Sequence, residues 1–198
     1  RKELLRPARS SSVKGEAEYS FRHLLIRDVA YQQIPRAARV RKHRTAAAWI
    51  ERLAGERVTD HADILAHHYE QALQLAKAAG LDDDTRELET QVQRFLIMAG
   101  DRALELDAGK VEAFYRQALE LAVEALAGGE GESARSEATR AVAALANNLG
   151  TAHRDAGRAA AAEAAFVLAI EADPSLAAAR FNLHAVVFDE RAPAAARA

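Results

Sequence analysis

The sequence predicts a mainly α fold of antiparallel helical hairpins stacked on one another, with a small N-terminal portion containing a short β-hairpin. Three observations predict it. After Pro35 the apolar residues recur at helical spacing almost to the end of the chain. Glycine and proline interrupt that pattern at intervals that suit hairpins. The stretch 143–176 sets small and aromatic residues where two close-packed helices need them.

The elements follow in order. Segments near 3–6 and 18–21 flank a Ser/Gly-rich tip, the pattern of a hairpin. From Phe21 to Ile34 the apolar residues Leu24, Leu25, Ile26, Val29 and Tyr31 surround most of a helix, which predicts a largely buried element. Pro35 ends it, because the residue before a proline is biased out of the α region. Helices are then expected over 36–54, 60–79, 85–106, 110–126, 134–156, 159–172 and 176–189. Gly55, Gly80, Gly109, Gly157 and Pro174 mark ends, 127–133 is a flexible loop, and Asp60 and Ser175 are the expected N-caps.

Composition narrows the function. The apolar fraction of 49% and charged fraction of 28% suit a globular chain with a core. There is no membrane-length apolar run and no signal-peptide pattern. The absence of cysteine excludes disulfides and thiolate metal sites and fits a cytoplasmic setting. The chain begins at Arg1 and its single methionine is Met98, which suggests a piece of something longer. Residues 1–60 carry +7 and the remainder −9, a basic head on an acidic body.

Counted from Ala143 as position 1, Leu149 and Gly150 fall at 7 and 8, Ala162 at 20, Phe166 at 24, Ala169 at 27 and Pro174 at 32. This spacing resembles the 34-residue tetratricopeptide repeat. Small residues let two helices approach, Leu149 and Phe166 are expected to fill the gap, and proline ends the second helix. Ala146 and His153 depart from the family's aromatic places. A weaker copy counted from Val92 puts Phe95 at 4, Met98 at 7, Ala99 at 8, Tyr115 at 24 and Ala118 at 27. The two starts are 51 apart, so an insertion of 17 separates them. A third copy begins at Ala177.

The order "EYSFRHLLIRDVAYQQIPRAARVRKHRTAAAWIE", then "ADILAHHYEQA", then "FLIMAGDRALEL" resembles the region behind the nucleotide-binding domain of bacterial signal-transduction (STAND-type) ATPases, often fused to adenylate/guanylate cyclase domains. The resemblance implies the end of a winged-helix-like domain over 1–58 and a repeat arm over 59–198. It implies a non-catalytic regulatory or protein-interaction role, with a protein or peptide partner or the ATPase domain of the same chain. No G-x-x-x-x-G-K-[ST] loop or cyclase segment occurs, so the segment itself is expected to be no enzyme and to need no cofactor. The alternatives are a DNA-binding module working through the basic head and a free-standing repeat scaffold.

The basic stretch 35–44 tests the DNA alternative. On a helix, Val40, His43, Ala46, Ala47, Ile50 and Leu53 share an apolar arc, with Arg41, Arg44 and Arg52 opposite. The charge is split rather than striped, which argues against a nucleic-acid grip. Trp49 is expected at the core edge. Arg36 and Arg39 sit at a helix N-terminus, where the dipole costs a cation ~0.3–1 kcal/mol. That predicts a carboxylate partner, from Glu16, Glu18 or another domain, and a docking face. Along the arm, Asn147, Thr151 and Arg154 line the first helix of the best repeat, and Asn148 and Asn182 are equivalent positions in successive repeats. These five are the candidate peptide-binding residues. His61, His67 and His68 are spaced wrongly for one metal ion, with Ile64 and Leu65 between them, and His68 is read as packed. The acids at 82–89 mark a helix N-terminus.

Overall fold

The computed structural model describes residues 4–11, 13, 15–106, 108–128 and 131–191. Glu3, Ser12, Lys14, part of the 127–133 loop and the 192–198 tail, where some expectations fell, lie outside the described residues. Strands β1 (Leu5–Pro7) and β2 (Tyr19–Phe21) pair antiparallel, with Leu5 opposite Phe21 and Pro7 opposite Tyr19. Two further backbone bonds, Ala8 N–H to the Glu18 carbonyl at 2.8 Å and Arg22 N–H to the Leu4 carbonyl at 3.1 Å, extend the hairpin.

Helix α1 (Leu24–Gln32) follows, then α2 (Arg36–Ala54), a 3-10 segment (Gly55–His61), α3 (Ala62–Lys77), α4 (Asp82–Leu106), α5 (Ala108–Gly128), α6 (Glu132–Asp155), α7 (Ala159–Ala172) and α8 (Ala177–Arg191). The protein is mainly helical, with its small sheet near the N-terminus. From α2 to α8 successive helices pack on one another, and α8 also reaches back to α6, as in a stack of helical hairpins. Left-handed glycines close three of the turns, Gly55 at φ 54°, Gly80 at φ 65° and Gly157 at φ 72°.

The main core joins Val40 and Ala47 of α2 to Leu65 and Leu73 of α3, Leu88, Val92 and Phe95 of α4, Tyr115 of α5, and Leu145 and Leu149 of α6. Between α3 and α4 the rings of Tyr69 and Phe95 lie parallel, 5.5 Å apart. Two smaller clusters sit at the C-terminal end, Ala146 with Ala169 and Ala179, and Ala162 with Phe166 and Val186. Small residues there let three helices converge. Twice a buried tyrosine is satisfied at the edge of its hairpin. Tyr69 Oη donates to Glu51 at 2.6 Å, and Tyr115 Oη donates to Asp101 at 2.6 Å. Burial first, and then the carboxylate, pushes both phenols well above their ordinary range.

Several expectations are corrected. Helix α1 has no buried residue, and Leu24 is 69% and Leu25 74% exposed. Its apolar side is real, but among the described residues no other layer buries it. Leu53, placed on the apolar arc of α2, is exposed, while Trp49 is half-buried. Asp60 does not cap α3; it lies in the 3-10 segment and pairs with Arg102 at 3.3 Å. Ser175 donates its hydroxyl and its backbone N–H to Asp173. The helices on either side of the 127–133 loop run slightly further into it than expected, α5 to Gly128 and α6 from Glu132. Leu149 belongs to the main core, so the residue against Phe166 is Gly150. In the upstream hairpin the matching glycine is Gly100 against Tyr115, one place beyond Ala99. Among the described residues no helix is long and apolar enough to cross a membrane.

Candidate interaction surface

Residues 147, 151 and 154 recur along one face of α6 because i, i+4 and i+7 lie above one another on a helix. Proline and the short turn after α7 return α8 alongside that face, and Asn182 completes the group. Asn182 Nδ2 donates to Asn147 Oδ1 at 3.0 Å, and Arg154 Nη1 donates to Asn182 Oδ1 at 3.2 Å. Arg154 Nε also reaches Asp155 at 3.2 Å. The Thr151 hydroxyl donates to the Asn147 carbonyl at 3.1 Å, the ordinary back-bond of a helical threonine. Asn147, Thr151, Arg154 and Asn182 are all half-buried.

The structure thus brings four of the five candidates together, and ties α6 to α8 with them. Asn148 stands apart: among the described residues its side chain makes no hydrogen bond. Its repeat equivalent, Asn182, meets Asn147 instead. Because the Asn182 amide is used on both its oxygen and its nitrogen, it positions Arg154 and Asn147 rather than lying idle for a ligand. The truncation Asn182→Ala is expected to cost about 1 kcal/mol in urea unfolding. The double variant with Asn147→Ala should cost no more than about that same amount, since one bond is being removed twice.

At the other end, Arg36 and Arg39 find partners inside the chain, and neither pairs with Glu16 or Glu18. Arg36 Nη1 donates to the Ala78 carbonyl at 3.4 Å, at the C-terminal, negative end of α3. That offsets the unfavourable end of its own helix. The Arg39 guanidinium lies over the Tyr31 ring, 5.0 Å from its centre, while its Nε is buried without a hydrogen-bond partner. Arg44 pairs with Glu87 of α4 at 2.8 Å. The basic stretch is therefore largely engaged with its own chain.

Two groupings were invisible in the sequence. Tyr31 Oη, His43 and His68 form a chain across α1, α2 and α3: Tyr31 Oη lies 2.7 Å from His43 Nε2, and the two Nδ1 atoms lie 3.0 Å apart. Farther along, Arg158 donates to His153 Nδ1 at 3.1 Å and to Glu112 at 2.7 Å, clipping the α6–α7 turn to α5. Burial, then Arg158 and Arg116, hold the His153 imidazole below its usual range, so it stays neutral as the acceptor requires. His153 stands at an aromatic place of the repeat, and that departure was its only signal. No family model and no curated protein matches the chain.

Proposed function

We propose that this chain is a non-catalytic regulatory segment of a multidomain signalling ATPase, with a winged-helix-like head and a tetratricopeptide-like arm that both act by protein contact. The observation that carries the reading is the apolar surface of the head. Tyr19 and Phe21 of β2 and Leu24, Leu25 and Val29 of α1 are all exposed, while the stack from α2 to α7 closes its own core without them. An apolar face of this kind marks a contact surface. The recurrent fit of a glycine against an aromatic ring, Gly100 with Tyr115 and Gly150 with Phe166, supports the tetratricopeptide-like reading of the arm. The engagement of Arg36, Arg39 and Arg44 within the chain weighs against the DNA-binding alternative.

The test is ATP turnover by a protein carrying this segment together with its ATPase domain. Leu24→Ser with Leu25→Ser alters no buried residue, so it should leave the arm folded and shift turnover by about tenfold, a coupling of about 1.4 kcal/mol. Unchanged turnover overturns the docking role. Binding of random duplex DNA with a steep salt slope would replace it with the nucleic-acid reading.

A further inference from the structure

We propose that Tyr31, His43 and His68 form an acid-operated latch that holds the head against the helical stack when the two imidazoles are neutral and lets it go when they are protonated. The proposal stands on connectivity. Among the described residues α1 packs only lightly on β2, and more lightly still on any other element. Its ties to the stack at Tyr31 are the bond to His43 and the cover of Arg39. His43, on α2, passes that tie to His68 on α3 through the 3.0 Å contact between Nδ1 atoms.

That contact is sensitive to proton count. Two neighbouring Nδ1 atoms make a hydrogen bond only when one bears a proton and the other a lone pair. In the neutral chain, either His43 Nδ1–H donates to His68 while Tyr31 O–H donates to His43 Nε2, or all the roles reverse. One added proton is tolerated, with His68 as an imidazolium donating to His43. A second leaves His43 with N–H on both edges, facing the N–H of His68. The contact then becomes a repulsion between like charges and the line from α1 to α3 breaks.

The surroundings all oppose the protons. On α1, Arg27 is paired with Asp28; on α2, Arg39 faces Tyr31 and Arg44 is paired with Glu87 of α4; on α3, the His67 ring lies 5.8 Å from that of His68. Among the described residues no carboxylate pairs with either ring. Burial, followed by His68, His67 and Arg39, pushes His43 down to about 4, and burial followed by His67 lowers His68. A histidine whose pKa is lowered by folding stabilises the fold above its ordinary value of 6.5, and that contribution is lost as the pH falls toward about 4. The latch is therefore closed at neutral pH and opens across that interval.

The chain has no cysteine, so two can be introduced as the only labelling sites. Leu25→Cys and Gln74→Cys place spin labels on exposed positions of α1 and α3. The distance distribution by electron double resonance is expected to be narrow at pH 7.5 and to broaden as the pH is lowered from 6.5 to about 4, while far-UV circular dichroism keeps its helical amplitude. In the His43→Phe background the distribution should be broad at every pH. A distribution that stays narrow through the titration overturns the latch, as does a narrow one in His43→Phe at pH 7.5. Loss of helical signal in step with broadening overturns it equally, because the stack would then be unfolding as a whole.

Discussion

Phe95→Ala is expected to lower the unfolding free energy by about 3–5 kcal/mol, the usual cost of truncating a fully buried phenylalanine. The ring is 0% exposed and lies flat against Tyr69 across the α3–α4 contact. The Arg94 guanidinium covers it at 4.8 Å. Removing it empties a site that collapse of the helices fills only in part. It also unseats Tyr69, whose hydroxyl is held by Glu51 of α2, so the damage spreads over three helices. Against a total stability of about 5–15 kcal/mol, this is about a fifth or more of what holds the protein together. Urea unfolding followed by circular dichroism measures it. The matched control is Phe181→Ala on α8, where the ring is 75% exposed and a change within about 0.5 kcal/mol is expected. Equal shifts at Phe95 and Phe181 would show that the α3–α4 contact is not where the core sits.

The difference between those two phenylalanines shows what the sequence makes legible. Helices from Arg36 to Arg191 could be read because a buried stripe and a left-handed glycine are local signals, written within a few residues. Gly55, Gly80 and Gly157 end or follow helices where expected. What covers a stripe is not local. Helix α1 carries an apolar pattern, and that pattern reports an affinity for a partner rather than the partner's presence. The same gap explains the candidate site. Counting repeats made Asn148 and Asn182 equivalent, but α6 and α8 cross so that Asn182 meets Asn147. Contacts such as His43 with His68, 25 residues apart and on separate helices, leave no periodic trace at all.

The register error upstream leads to the second large effect. A 34-residue count put Ala99 at the close-approach place, yet the spacing from glycine to aromatic ring is one residue shorter in the upstream hairpin. Tyr115 follows Gly100 by 15, whereas Phe166 follows Gly150 by 16. In both hairpins the contact is tighter than any side chain allows. A Cβ on Gly150 would sit 2.6 Å from a carbon of the Phe166 ring, and one on Gly100 would sit 2.7 Å from Tyr115. Phe166 is 0% exposed and cannot swing away, so the helices themselves must part. Gly150→Ala should therefore destabilise by about 1–2 kcal/mol, because overpacking costs about 1–3 kcal/mol while alanine returns up to about 1 kcal/mol of helix propensity. Gly150→Val, bulkier and β-branched, should cost more. Gly128 is also helical, but its added Cβ meets nothing within 4 Å, so Gly128→Ala should change stability by no more than about 0.5 kcal/mol. The decisive arm is relief. In a Phe166→Leu background the smaller side chain makes room, and Gly150→Ala should become neutral or stabilising, a coupling of about 1 kcal/mol or more in a double-mutant cycle. If alanine at 150 costs the same with leucine at 166 as with phenylalanine, the glycine is not there to admit the ring.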